Sequence, residues 1–507
     1  MTIPIFLAID AGTTSLKAAL FDAQGHMLAL DRQEYLLLTP ALNVVELDPQ
    51  VYWQALVSAV RSVLAQSRVA GQEVTTLCIS SQGETFIPVD TQGVPLSRAI
   101  VWLDNRASEE AKLIAERFGI DKIFHRTGQP EVAPTWPACK MLWMRSCTPD
   151  IFQRTAKFLW LEDYLLYRLT GQFATSTGQQ TSSLLLDIQA QDWWPEMMAY
   201  VGLASDRLGK LMKPGEPLGT LRRHAAEELG LSTRTLAVTG SMDQAIAALG
   251  AGNIAPGMVV ESTGGALGIV ATLTEPLFDP QRRIPCYLHA VPNTYCLLPW
   301  GQTAGMALKW FRDQFFALEA ESARQAGREP YNDMTAEAGR VPAGCDGLVA
   351  LPHLEGAFCP EFNPLARGVF FGATLRHGRA HFIRAILESV AFMLKRNLDL
   401  VEGLGIPVET ITSLGGGARS PLWLQIKADV LQKPVQTIQV EEAACLGAAI
   451  LGAVAAAVYP DIPSAVTQMV QHKEAVQPNP AHCQVYQQRY EDYVALFNHL
   501  TPMFTDE

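Results

Sequence analysis

Three glycine-bearing turns and one carboxylate hold the residues best suited to chemistry in this 507-residue chain. The first turn, Asp10-Ala-Gly-Thr-Thr-Ser15 with Lys17 just beyond, places small residues and hydroxyls where a backbone can approach a phosphate. Successive N–H groups in such a turn form an anion-binding concavity, and a carboxylate beside them can orient a metal-bound water. Thr263-Gly-Gly265 offers a second turn of this kind. Gly415-Gly-Gly417 offers a third, ahead of a helical stretch whose N-terminal dipole favours an anion. Together they suit a nucleoside triphosphate, although G-x-x-x-x-G-K-[ST] and G-x-G-x-x-G are both absent. The carboxylate is Asp243 in Thr239-Gly-Ser-Met-Asp-Gln244, after an apolar strand and before an apolar helix. Placed at a strand end, it can accept the proton of a substrate hydroxyl. Purely structural alternatives are an N-cap role for Asp243 and a tight first turn that needs a positive glycine φ.

Those residues must be positioned by the elements around them. Ile5–Ile9 and Leu16–Phe21 flank the first turn and predict a β-hairpin, with a further strand near Met27 to Arg32. Asp48 as N-cap and Pro49 as first helical residue open an amphipathic helix marked by Trp53, Leu56, Val57, Val60, Val63 and Leu64. Val74 to Ser80 reads as a buried strand ending in Ser81-Gln-Gly-Glu-Thr85. From Glu109 to Gly230 the pattern is mostly helical, over 111–118, 138–144, 160–169 and 193–201. Met258–Ser262, Thr263-Gly-Gly265 and Ala266–Ala271 repeat the form of the opening hairpin without its letters. Two such units imply an α/β chain of two related domains, 1–252 and 253–507, divided where Gly250-Ala-Gly-Asn-Ile-Ala-Pro-Gly257 interrupts an apolar helix. A strand over 411–414 and a helix over 421–431 follow.

Composition narrows the partners. A net charge of −12, from 39 Lys+Arg against 51 Asp+Glu, disfavours nucleic-acid backbones and anionic membrane surfaces, so a small-molecule substrate is expected. With 48% hydrophobic residues and no long run of like charge, the chain is globular rather than disordered. Nine scattered cysteines without a C-x-x-C fit a reducing cytosol and a cytoplasmic location. The N-terminus reads as a strand, not a secretion signal. Ala443 to Val458 is rich in Ala and Gly and too short to span a bilayer, so a helix packed closely by its small residues is expected.

In segments that run in order along the whole chain, the sequence resembles the FGGY family of carbohydrate kinases. They are Ile9-Asp-Ala-Gly-Thr-Thr14, Ser81-Gln-Gly-Glu-Thr85, Ala99-Ile-Val-Trp-Leu-Asp-Asn-Arg106, Asp163 to Gly171, Gly240-Ser-Met-Asp-Gln244, Ser262-Thr-Gly-Gly265, Gly368 to Gly372, Gly415-Gly-Gly-Ala-Arg-Ser420 and Leu446-Gly-Ala-Ala449. The resemblance implies two ribonuclease H-like domains of the actin, hexokinase and Hsp70 type, with ATP and acceptor bound in a cleft between them. It makes Asp243 the catalytic base and Asp10 the acidic residue beside the phosphates and their Mg²⁺. Thr13, Thr14 and Lys17 match the first phosphate loop, and Gly264 and Gly265 the second, with Gly265 where many members carry Thr. Gly305, Gly416, Gly417 and Ser420 match the adenosine side.

The acceptor positions are Gln82, Gly83, Glu84, Trp102, Asp104, Thr135, Asp243 and Gln244, joined by Arg106. Gly83 replaces the arginine and Thr135 the tyrosine of glycerol kinases, and the Met-His pair of xylulokinases is missing at 83 and 84. Core packing is an equal reading of Trp102, and an ion pair with Asp104 or Glu110 is the other reading of Arg106. The resemblance implies an ATP- and Mg²⁺-dependent kinase acting on a terminal hydroxyl of a small sugar, a ketopentose such as xylulose first. Glycerol, a tetritol, ribulose or gluconate are alternative acceptors. A non-catalytic nucleotide-dependent sensor on an actin-type fold is the alternative of another class; the sequence does not show the oligomeric state, for which a homodimer is one candidate.

Overall fold

In the computed structural model, which describes residues 4–505, the chain forms two compact units. The first holds the chain up to Ile254 with Leu273–Cys296 and Glu442–Gln471. The second holds Ala255–Thr272, Leu297–Glu441 and the chain from His472 onward.

Each unit is built on a mixed sheet that begins with an antiparallel hairpin. In the first, Ile5–Ala11 pairs with Ser15–Phe21 so that Asp10 stands opposite Lys17, and Met27–Glu34 extends the sheet. On the other side Val74–Ser81 and then Leu236–Val238 add in parallel, and Pro217–Thr220 closes the edge antiparallel. Ile5–Ile9 is buried throughout, the pattern of a strand covered on both faces. The helix Pro49–Ser67 packs on Ser15–Phe21 and Met27–Glu34, and it starts as its sequence dictates: Asp48 accepts the Gln50 N–H at 2.9 Å and Pro49 follows.

The second unit repeats the plan. Gly257–Thr263 pairs antiparallel with Leu267–Leu273 and parallel with Val408–Leu414, Val435–Gln436 adds in parallel, and Trp300–Gly301 lies along Leu267–Leu273. Even an irregularity is shared, because the parallel pairing slips at Ile5/Phe6 in one unit and at Gly257/Met258 in the other. Aligned on that slip, Ile9 corresponds to Glu261, Asp10 to Ser262 and Ala11 to Thr263.

Against a single break at 252/253, the chain returns to the first unit twice. The helix Ala443–Ala455 shows why. It packs on Ile5–Ala11, on Val74–Ser81 and on the helix Asp243–Gly250. A methyl on Gly250 would collide with the Ala443 carbonyl, and one on Gly447 with the Ile246 carbonyl. The small residues expected to allow close packing therefore do so, at backbone-to-backbone distance. The middle section contains the helices Ser108–Phe118, Pro137–Cys147, Leu161–Thr170 and Pro195–Val201. It also contributes to a sheet, in the order Leu38–Ala41, Val44–Leu47, Ala99–Ile100, Phe86–Val89, Lys157–Trp160, that the helical reading overlooks because these strands run two to four residues. Among the described residues no helix is long and apolar enough to cross a membrane.

Candidate active site

Three neighbouring parallel strands of the first unit end together, and each delivers a functional segment. Asp10 lies in register with Ser80, the Gln82 N–H donates to the Ala11 carbonyl at 3.0 Å, and Ser81 bridges to Met242. Asp10, Gln82 to Glu84 and Asp243 thus gather at the carboxyl end of the sheet, where α/β proteins bind ligands. Gly240 turns the chain there: its N–H donates to the buried Glu162 carboxyl at 2.6 Å, and a methyl on it would strike the Ile79 carbonyl. The N-cap of the following helix is Met242, so Asp243 is the first helical residue and not the cap. Its carboxylate accepts the Gln244 N–H at 2.7 Å. Burial, and then the charge of Asp10, push its pKa up to about 7, which suits a general base.

Lys17 is placed differently from a free phosphate ligand. Its Nζ lies 2.5 Å from Glu442 and 3.8 Å from Asp10. Burial opposes its charge, but Asp10 and Glu442 outweigh that and raise its pKa. The Asp10 carboxyl is itself raised by burial, with Lys17 pulling the other way. Glu442 was invisible to sequence reasoning, being 425 residues from its partner. In the turn, Gly12 has no positive φ, so the positive-φ alternative does not apply; its N–H donates to Ser15 at 3.0 Å. Thr14 is exposed, and Thr13 accepts the Trp102 indole N–H at 2.8 Å. Trp102 is half-buried against the core, as its packing reading has it, and also braces the turn.

Gln82 is buried and donates to the Tyr52 hydroxyl at 3.2 Å, leaving its Oε1 without a partner. Gly83 fits tightly, because an added methyl would stand 3.1 Å from Ser182 Oγ. Glu84 holds a left-handed φ of 52°, a strained conformation for this residue type and one that marks functional sites. Burial raises its pKa against the Ser182 hydroxyl and the Lys140 ammonium. Asp104 departs from its expected role as an acceptor contact. It is fully buried, accepts the Val45 N–H at 2.6 Å and two Arg106 guanidinium N–H groups at 2.7 and 2.8 Å, and so supports the loop from beneath. Arg106 is the ion-pair residue of its other reading, with Glu46 rather than Glu110 as second partner. Thr135 and Gln244 are half-buried, Thr135 in the turn ahead of Pro137–Cys147. Lys140 escaped the sequence reading. It is fully buried, donates to the Val101 and Trp102 carbonyls at 2.8 and 3.3 Å, and burial brings its pKa down to about 7 despite Asp104 and Glu84. A lone lysine on the buried face of an apolar helix was its one signal.

The remaining predicted residues lie in the second unit on adjoining loops. Gly264 and Gly265 are exposed, and the helix Gly305–Phe315 starts against them, with Gly305 N–H on Gly264 O and Met306 N–H on Gly265 O, both at 3.0 Å. A methyl on Gly305 would collide with the Gly264 carbonyl. Gly416 is open on all sides and Gly417 backs onto Thr263. The glycine triplet leads into a short 3₁₀ turn rather than directly into the helix; Ser420 is the cap of Pro421–Leu431, accepting the Trp423 N–H at 3.2 Å.

Residues 5–250 match the N-terminal domain, and residues 263–456 the C-terminal domain, of the FGGY family of carbohydrate kinases. A gluconokinase from Bacillus licheniformis is 32% identical over 451 residues, 88% of this chain and 86% of that one. A xylulose kinase from Bacillus subtilis (strain 168) is 27% identical over 499 residues, 98% of each chain. The solved xylulose kinase from Rhodospirillum rubrum shares the fold with a TM-score of 0.89 at 27% identity, covering 99% of both chains.

Proposed function

The chain belongs to the FGGY family of carbohydrate kinases, and on that premise we propose that it transfers the γ-phosphoryl group of ATP to a terminal hydroxyl of a neutral ketopentose of the xylulose type. The observation that carries the acceptor class is the charge state of the first unit's site. The charges of Asp10 and Glu84 both act on Asp243, while Lys17 is committed to Glu442 and Asp10, Arg106 to Asp104 and Glu46, and Lys140 to two carbonyls. A carboxylate acceptor would meet three acidic groups there, opposed by Arg32, whose guanidinium donates to the Ser15 hydroxyl at 3.2 Å and acts on Asp10. Hydroxyls are accommodated, because Gln82 Oε1, Gln179 Oε1 and Ser241 Oγ are buried without partners among the described residues.

In this reading Glu84 and Gln82 orient the sugar, with Gln244 beside them, and Asp243 removes the proton of the attacking hydroxyl. The exposed loops at Gly264, Gly265 and Gly416 hold the nucleotide through their backbone, the Gly264 N–H itself being bonded to the Ala266 carbonyl at 3.0 Å, and alignment and charge stabilisation are what phosphoryl transfer asks of a protein. No set of three or more His, Cys, Asp or Glu side chains able to hold a metal occurs among the described residues. That fits a Mg²⁺ carried on nucleotide phosphates and touched by one or two carboxylates, Asp10 first. When bound, it would neutralise charge on the phosphate oxygens. A non-catalytic sensor would have no use for a carboxyl poised as Asp243 is.

An assay of ADP release over pentuloses, polyols and aldonates tests the proposal. Stimulation by a neutral ketopentose above all others is expected, and stimulation by gluconate alone would overturn it. An aldonate is favoured by the 32% and 31% identities to two Bacillus gluconokinases.

A further inference from the structure

Deep in the second unit, Glu261 and Lys427 form an ion pair with no solvent exposure, Nζ to Oε1 2.6 Å. Lys427 also donates to the hydroxyls of Thr263 at 2.9 Å and Ser413 at 3.2 Å. Both hydroxyls in turn donate to Glu261, Thr263 at 2.7 Å. The four side chains come from three elements, the strands Gly257–Thr263 and Val408–Leu414 and the helix Pro421–Leu431.

Burying such a pair does not by itself favour a fold over apolar side chains of similar volume. The first unit bears this out on the same scaffold. The position of Glu261 is held there by Ile9 and that of Ser413 by Ile79, a pair in register and fully buried. What the second unit gains is a grip on Thr263, the last strand residue before Gly264. Thr263 is also the surface on which the other glycine loop rests: a methyl on Gly417 would stand 2.7 Å from its Cβ, and one on Gly415 2.8 Å from its carbonyl.

We propose that Glu261 and Lys427 are positioning residues for nucleotide binding, fixing Thr263 and through it the spacing between the Gly264–Gly265 and Gly415–Gly417 loops. The proposal rests on the nucleotide reading of those loops. Neither residue touches the nucleotide; they set where the backbone N–H groups that do so stand.

The test compares two variants with the wild type for stability and for the KM of each substrate. Glu261→Ile/Lys427→Met places the first unit's Ile9 at 261 and removes the ammonium with an apolar side chain of similar length. It is expected to keep its melting temperature and its acceptor KM while its KM for Mg·ATP rises about tenfold. Glu261→Gln keeps an acceptor for the Thr263 hydroxyl but leaves the ammonium uncompensated, so its melting temperature is expected to fall while its nucleotide KM stays within about threefold. Positioning predicts this crossed pattern, whereas a merely structural role makes nucleotide KM follow stability. A folded double variant with unchanged nucleotide KM overturns the proposal, as does a double variant that cannot fold, which would show that the pair serves the fold itself. A wild type that binds no Mg·ADP in a calorimeter would instead overturn the nucleotide reading beneath it.

Discussion

At the turn of the first hairpin stand Asp10 and, across the pair, Lys17; at the matching places of the second stand Ser262 and Gly268. One residue back the contrast reverses, with Ile9 buried in the first unit and Glu261, paired with Lys427, buried in the second. The backbone plan is the same, and the charges have moved. In the first unit they sit at the strand ends, where burial first, and then the charge of Glu442 on Asp10 and of Asp10 on Asp243, raise the proton affinity of both carboxyls. In the second, charge lies beneath the surface, and the loops above it present glycine backbone. A hydroxyl nucleophile asks for a base, whereas a polyphosphate asks for N–H donors at fixed places. The difference teaches that one backbone plan can carry its ionisable groups in different layers, which under the proposed function would suit one unit to the acceptor and the other to the nucleotide.

That division can be broken most sharply at Asp243. Asp243→Asn is expected to lower kcat roughly a thousandfold, read by steady-state ADP release, with the KM for Mg·ATP unchanged. A variant that keeps full turnover would remove the base from the first unit. Next in size is Gly447→Ala, which drives a methyl into the Ile246 carbonyl of the helix carrying Asp243. It should cost about 1–3 kcal/mol in chemical denaturation. Smaller again is a pH effect. Because only the ionised carboxylate takes a proton, kcat/KM for the acceptor should fall about tenfold per unit below about pH 7. The stability consequence has the opposite sense. Folded Asp243 holds its proton more tightly than the unfolded chain does, so its contribution to stability is full below about pH 4 and is lost as pH rises through about 7. Asp243→Asn should therefore melt no lower than wild type at pH 8, a result that separates loss of the base from loss of the fold.

Much of the scaffold was legible because it is written locally. Asp48-Pro49 announces a helix start, and the paired hairpins announce the duplication, since turn chemistry and apolar runs need no distant partner. That Asp10, Gln82, Glu84 and Asp243 gather at one end of the sheet was legible for a similar reason, each lying at or just beyond the end of an apolar strand. What was not legible depends on partners far along the chain. Asp104 looks like an acceptor contact until Val45 and Arg106 are seen to occupy it. Lys17 gives no sign in the sequence of the ion pair it makes with Glu442. Glu261 and Lys427 give no local sign of function, and Lys140 only its place on an apolar helix, because a buried ion acquires meaning from the groups that compensate it.

The claim that the first unit binds the acceptor and the second the nucleotide is tested most directly by measuring both KM values in Gly83→Ala and Gly305→Ala. Gly83→Ala crowds Ser182 and Met242, and Gly305→Ala forces the Gly264 loop away from its helix. The account predicts a crossed result, in which Gly83→Ala raises the acceptor KM about tenfold with nucleotide KM unchanged, and Gly305→Ala does the reverse. Both KM values rising together in either variant would contradict it.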